Sequence, residues 1–188
     1  RSSDLGYFLR RDFKKGQMAR DMTLYVDDDG KAYHIHAAEN NQTLHIAELT
    51  DDYQNFTEKY ARVLEGKANE APALFKRNNK YYMITSGTTG WKPNPARLAV
   101  ADNMLGPWQE LGDPSRGNDD EVKTTFWSQS TYILPVAGKK DAYIFMGDRW
   151  NGDNLIDSKY IWLPITFENE KPVLRWFDEW NFSVFNKK

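Results

Sequence analysis

The stretch EAPALFKRNNKYYMITS, residues 70–86, decides the fold of this chain. It contains two runs rich in apolar and aromatic residues, Ala73 to Lys76 and Tyr81 to Thr85, and both favour β-structure. Asn78 and Asn79 separate the runs, and Asn tolerates the positive φ angles that a tight hairpin needs. The stretch therefore predicts a β-hairpin.

The same order of elements occurs on both sides of this hairpin. Segments starting at Asp21, Glu70 and Gln129 each contain a β-rich run, a turn, a second apolar run, a loop and a third run. The further predicted strands are Met22 to Val26, Ala32 to Ala37, Leu44 to Leu49, Arg97 to Ala101, Thr131 to Pro135, Ala142 to Met146 and Tyr160 to Ile165, with fourth strands near Tyr60 to Val63, Trp108 to Leu111 and Val173 to Trp176. The segment starts lie 49 and 59 residues apart. A repeat of about fifty residues is the size of one four-stranded propeller blade.

The repeat predicts an all-β chain, a partial propeller of about three four-stranded blades at residues 20–66, 69–113 and 127–176. All 188 residues then form one domain, the C-terminal part of a propeller. A generic β-sandwich is the alternative. Only residues 52–64 carry a weak helical pattern. Because three blades cannot close a ring, we expect either N-terminal blades outside this chain or a homodimer.

Composition excludes several classes of partner. The net charge is -2, and Lys and Arg are scattered, which argues against nucleic acid and against a membrane surface. There is no apolar run that could span a bilayer and no signal-peptide pattern. Cysteine is absent, so disulfides and thiolate metal sites are excluded. Aromatic residues make up 14% of the chain, which suits either a β-core or the stacking of sugar rings.

The three segment starts are the candidate catalytic residues. In a propeller the innermost strands line a central channel, so Asp21, Glu70 and Gln129 would converge at one end of it. Glycosidases need a protonated carboxyl and usually a base. The apolar residues after Glu70 and a nearby charged Asp21 would both raise the pKa of Glu70. The alternative is that these side chains only begin strands and accept hydrogen bonds.

Several motifs resemble glycoside hydrolase family 43. They are RDMT (20–23) with DDDGKAY (27–33), NEAP (69–72) with YYMITS (81–86), and LGPW (105–108). Within that family, SQSTY (128–132) and TSG to GW (85–91) are most similar to the exo-β-1,3-galactanase group. The resemblance covers nearly all of the chain from Arg20 onward.

The resemblance implies a five-bladed β-propeller and inverting hydrolysis that releases galactose from β-1,3-galactan or arabinogalactan, without a cofactor. By position, Glu70 is the proton donor, Asp21 tunes its pKa, Gln129 is the base or orients the water, and Thr88 contacts sugar. The resemblance also implies a secreted or periplasmic protein that acts on an oligo- or polysaccharide. The alternatives are an arabinofuranosidase or xylosidase of the same family, or a truncated, inactive propeller that binds glycan. The family's first two blades have no counterpart before Arg20, which leaves the site open on one side.

Four other side chains are candidate sugar contacts. Trp91, Trp127 and Trp150 lie in loops next to the channel strands, where they could stack on sugar or pack on the rim. Arg149 could bind sugar hydroxyls or form an ion pair with a neighbouring Asp.

No metal site is expected. His34 and His36 share a face of one strand and His45 follows on the next, but no ligand spacing supports a metal, so hydrogen-bonded sheet histidines are favoured. Residues 27–30, Asp-Asp-Asp-Gly, lack the spacing of a calcium loop and predict a hairpin turn.

Overall fold

The computed structural model describes residues 18–186, and almost all of the regular structure in that range is β. The strands are β1 (Met22–Val26), β2 (Ala32–Ala38), β3 (Thr43–Leu49), β4 (Phe56–Val63), β5 (Glu70–Arg77), β6 (Lys80–Ser86), β7 (Arg97–Ala101), β8 (Gln109–Gly112), β9 (Ser115–Arg116), β10 (Gln129–Pro135), β11 (Tyr143–Arg149), β12 (Lys159–Pro164), β13 (Thr166–Glu168) and β14 (Lys171–Arg175). Helix α1 is Asp119–Thr124, and two 3-10 helices are Leu155–Asp157 and Phe182–Asn186.

Two sheets follow the predicted four-stranded arrangement. The first sheet has the order β1-β2-β3-β4 and the second sheet the order β5-β6-β7-β8, with antiparallel neighbours throughout. The hairpin turns lie at Gly30, with φ 83°, and at Asn78 and Asn79, with φ 49° and 58°. The weak helical pattern at residues 52–64 is overridden, because residues 56–63 form β4 and pair with β3.

The third sheet differs from the prediction. It contains β10-β11-β12, and the strand expected near Val173 to Trp176 does not complete it. That segment forms β14, which pairs with β13 across the turn at Asn169 and Glu170 and runs parallel to β9. The turn follows β13 directly, and both of its residues have positive φ. Strand β14 therefore pairs with β13 of the local hairpin, and not with the third sheet as predicted.

The second sheet lies between the first sheet and the third sheet. Successive side chains of β5 point to opposite faces, so Leu74 packs with Ile35 and Ile46 of the first sheet while Phe75 packs with Ile133 and other third-sheet residues. Burial on both faces explains why residues 71–75 are apolar without alternation. The edge strand β5 contacts both β1 and β10. The starts of these three strands therefore lie at one end of the assembly.

Helix α1 was not predicted. Asn118 caps it by accepting hydrogen bonds from the backbone N–H groups of Asp120 and Glu121, and the side chain of Glu121 bonds back to the Asn118 N–H. The helix has only 6 residues, too few for a periodic pattern, but this capping box is a signal that the sequence carried. Within residues 18–186, no helix has the length and apolar character that crossing a membrane requires.

Candidate active site

Glu70 begins β5 next to an irregularity in the strand. It pairs with Ser86, and the register between β5 and β6 shifts between Glu70 and Ala73. Ala71 has φ 53°, a conformation uncommon for a residue with a Cβ. A bulge of this kind re-aims a side chain relative to the regular pleat. The local backbone thus sets where the Glu70 carboxyl points.

Hydrogen bonds from two neighbouring sheets hold that carboxyl. Asn41 of the first sheet donates Nδ2 to Oε2 of Glu70 at 2.9 Å, and Gln129 of the third sheet donates Nε2 to Oε1 at 3.1 Å. Gln129 Nε2 also donates to Ser86 Oγ at 2.9 Å, and Gln129 Oε1 accepts a 2.9 Å bond from the indole of Trp150. The carboxyl of Glu70, on the second sheet, is therefore oriented by amides from the first and third sheets.

The electrostatic surroundings favour the protonated form of Glu70. Burial raises the pKa of its carboxyl, and the charge of Asp21 raises it further. The hydrogen bond from Gln129 and the charge of Arg20 oppose this rise in the pKa. A carboxyl with a raised pKa keeps its proton to higher pH and can donate it to a substrate oxygen.

Asp21 lies at the edge of the same site. Its side chain is exposed and lines a cleft with Gln129, Asp148 and Trp150. The structure thus brings the three predicted catalytic residues to one end of strands β1, β5 and β10, with Glu70 and Gln129 in contact and Asp21 close enough to act through its charge.

The three predicted tryptophans surround a neighbouring cavity. Trp91, Trp127 and Trp150 line a space of about 100 Å³ together with Asn94 and Gln129. The rings of Trp91 and Trp150 meet edge to face, with centroids 5.4 Å apart. All three rings are at least 39% exposed, so they present apolar faces to solvent next to the polar groups of the site. This combination suits the faces and hydroxyls of a sugar.

The remaining predicted sugar contacts have different positions. Thr88 is exposed on the loop between β6 and Trp91. Arg149 is not at the cleft. Its guanidinium donates to the carbonyl of Phe126 at 2.8 and 3.1 Å and lies 4.7 Å from the ring centre of Trp176. The physical reason is strand alternation, because Asp148 faces the cleft and the next residue of β11 points to the other face.

Asn41 contacts Glu70 and is the residue of this candidate site that the sequence analysis missed. It lies in the loop between β2 and β3, which the sequence showed only as a polar connection. The pair Asn40-Asn41 was the sequence signal for a tight loop here, because Asn is frequent at positive φ. Residues 39–41 do have positive φ, of 51°, 56° and 63°.

The histidines form a packed row on the first sheet. The rings of His34 and His36 stack at 4.7 Å, those of His36 and His45 lie 5.4 Å apart, and His45 Nε2 contacts Glu39 at 2.9 Å. Burial lowers the pKa of His36 to about 4. In the part of the chain that the structure describes, no group of three or more His, Asp or Glu side chains is arranged to hold a metal ion. Residues 27–30 form a turn in which Asp27 binds Lys76 at 2.7 Å.

A half-buried carboxyl with a raised pKa near exposed tryptophans is typical of proteins that act on carbohydrate. Comparison with known proteins gives the family. Residues 3–145 match the profile described as Glycosyl hydrolases family 43, and this chain belongs to that family.

Solved structures and a curated relative refine the similarity. A family-43 β-1,3-galactosidase with galactodeoxynojirimycin is 55% identical with a TM-score of 0.86, over 94% of this chain and 51% of its own. An exo-β-1,3-galactanase from Clostridium thermocellum is 43% identical with a TM-score of 0.74, over 84% of this chain and 34% of its own. A β-xylosidase of Bacillus subtilis (strain 168) is 25% identical over 190 residues, covering 89% of this chain and 34% of its own. The chain spans about half the length of the first protein and about a third of the other two.

Proposed function

We propose that this chain carries the proton donor of an inverting glycoside hydrolase that releases galactose from β-1,3-linked galactan. The position of Glu70 is the main support, because its carboxyl, with a raised pKa, lies between two amides, and one of these, Gln129, lines the cavity of the tryptophans. The β-1,3-galactosidase and the exo-β-1,3-galactanase described above support the choice of sugar and linkage.

In this mechanism Glu70 protonates the oxygen of the leaving sugar while a water molecule attacks the anomeric carbon from the opposite face. The bond from the anomeric carbon to the glycosidic oxygen breaks, a bond to the water oxygen forms, and a base takes the proton of the water. Asp21 keeps Glu70 protonated through its negative charge and, from its exposed place in the cleft, is available to bind sugar hydroxyls.

Gln129 has two candidate roles, and its contacts favour one of them. Its Nε2 lies 3.1 Å from Oε1 of Glu70, whereas the acid and base of inverting enzymes stand about 6.5–9.5 Å apart to admit the water. Its Nε2 donates to both Glu70 and Ser86, and its Oε1 accepts from Trp150, so the side chain is engaged as an ordinary amide. We assign Gln129 to orienting Glu70.

The three sheets fit consecutive blades of a β-propeller, with β1, β5 and β10 as the inner strands. This architecture would place Asp21, Glu70 and Gln129 at the mouth of the central channel. We also propose a secreted or periplasmic location, because a polysaccharide substrate does not cross the cytoplasmic membrane.

The test is sugar release from defined oligosaccharides by the protein and by Glu70→Gln. We expect the protein to release galactose from β-1,3-galactan oligosaccharides and Glu70→Gln to release none. The control Glu110→Gln, on the exposed strand β8, should stay active. Full activity in Glu70→Gln would exclude Glu70 as the acid. Xylose release would favour the similarity to the β-xylosidase instead. Binding of the oligosaccharide without hydrolysis would favour a glycan-binding propeller.

A further inference from the structure

Asn41 is a buried amide whose hydrogen bonding points to Glu70. Its side chain is 6% exposed, and Nδ2 donates to Oε2 of Glu70 at 2.9 Å. Its Oδ1 is buried and has no hydrogen-bond partner among the described residues. A buried amide oxygen without a protein partner adds little to the stability of a fold. We therefore attribute the placement of this side chain to its hydrogen bond with Glu70.

Hydrogen bonds to Glu39 hold the loop that carries Asn41. The carboxylate of Glu39 accepts two bonds from Arg62, at 2.6 and 2.7 Å, one from His45 at 2.9 Å and one from Thr43 at 3.2 Å. Glu39 begins the run of three residues with positive φ that ends at Asn41. Anchoring Glu39 on β3 and β4 thus sets the loop conformation that brings Asn41 across to the second sheet.

We propose that Asn41 is a positioning residue for Glu70: it holds Oε2 of the acid and stabilises the carboxylate that remains when the proton has left. The role of Asn41 in catalysis rests on the proposed function, whereas its hydrogen bond to Glu70 does not. Gln129 holds the other oxygen, Oε1, from the third sheet. As Glu70 gives its proton to the leaving oxygen, the negative charge develops between two N–H donors, which lowers the energy of the products of the proton transfer.

A substitution at Asn41 leaves the identity of the charged side chains around Glu70 unchanged. Arg20 and Asp21 approach from the start of the first sheet, and Asp148 of the third sheet shares the cleft with Asp21. Ser86 and Gln129, which complete the surroundings, are uncharged. Removing the Asn41 donor should therefore raise the pKa of Glu70, because the charged form loses one hydrogen bond.

The experiment is a ¹³C NMR titration of the Glu70 carboxyl in glutamate-labelled protein, with the signal assigned by its absence in Glu70→Gln. The variant Asn41→Gly removes the side chain and suits the φ of 63°. Its matched control is Asn79→Gly, since Asn79 has φ 58° and lies in the turn at the other end of β5. We expect a raised pKa of Glu70 in Asn41→Gly, an unchanged pKa in Asn79→Gly, and similar melting temperatures for the two variants.

An unchanged pKa of Glu70 in Asn41→Gly would overturn the proposal. If that variant does not fold, Asn41→Asp keeps the size of the side chain and carries the same test. It replaces the N–H donor by a carboxylate oxygen, so the pKa of Glu70 should rise further than in Asn41→Gly. An unchanged pKa of Glu70 in Asn41→Asp would also overturn the proposal. The titration needs no substrate. It therefore decides the role of Asn41 even if the protein releases no galactose, an outcome that would count against the proposed function alone.

Discussion

The indole Nε1 of Trp150 donates a 2.9 Å hydrogen bond to Oε1 of Gln129, and this bond fixes which end of the amide faces Glu70. With Oε1 engaged by Trp150, Nε2 points to Glu70 and Ser86. The same indole ring lines the cavity with Trp91 and Trp127. One tryptophan therefore links the surface that would bind sugar to the residue that orients the acid.

Replacing Trp150 by Phe keeps one aromatic ring and removes the N–H of this hydrogen bond together with the second ring of the indole. A neutral hydrogen bond contributes about 1 kcal/mol, so we expect roughly a fivefold fall in kcat/KM on β-1,3-galactobiose. Trp162→Phe is the control, because Trp162 is 51% exposed and lies in a different groove. Equal activity of the two variants would show that the orientation of Gln129 does not depend on Trp150.

Gln129→Met tests whether Gln129 orients the acid or is itself the base. The substitution keeps the length of the side chain and removes the donor to Oε1 of Glu70. Because that bond lowers the pKa of Glu70, its loss should raise this pKa and move the basic limb of the pH–rate profile to higher pH. The profile is the measurement. A loss of about a hundredfold or more with an unmoved basic limb would instead identify Gln129 as the base.

The repeat in the sequence predicted much of this arrangement. Strands 22–26 and 97–101 have the predicted bounds, and aligning the segments placed Asp21, Glu70 and Gln129 at equivalent strand starts. Such an alignment works because the inner strands of successive sheets are equivalent positions in space. The contact between Glu70 and Gln129 follows from this equivalence.

Other features depend on contacts that a linear pattern does not carry. The partner of β14 was missed because strand pairing depends on which edge is free, not on the composition of the strand. Asn41 was missed because a loop of the first sheet reaches a strand of the second. The position of Arg149, by contrast, was open to prediction, since adjacent residues of a strand point to opposite faces.

Glu70 should reduce the stability of the fold at high pH. Its pKa in the folded protein lies above its ordinary value of 4.5, so the ionised carboxylate opposes folding. The effect is absent below the unfolded-state pKa and complete above the folded-state pKa. The free energy of unfolding of Glu70→Gln relative to the unmutated protein should therefore increase as pH rises, which urea denaturation between about pH 4 and 8 would measure. A difference that does not vary with pH would contradict the raised pKa.

The Glu39 cluster should have the opposite pH dependence. Hydrogen bonds from Arg62 lower the pKa of Glu39 from 4.5 to about 2. The ionised form therefore stabilises the fold above pH 4.5, and this contribution is lost as pH falls towards 2. Arg62→Met should lower the free energy of unfolding at neutral pH and reduce its decline between these pH values. Denaturation curves at pH 6, 4 and 2 test this, and parallel declines in both proteins would refute it.

The central claim is that Glu70 protonates the leaving group at a site built by three sheets. The most direct measurement compares the rate of Glu70→Ala with that of the unmutated protein on two substrates, β-1,3-galactobiose and dinitrophenyl β-galactoside. The sugar leaving group needs a proton and dinitrophenolate does not. We predict a loss of at least about a hundredfold on the disaccharide and a much smaller loss on the aryl galactoside. Equal losses on both substrates would contradict the account.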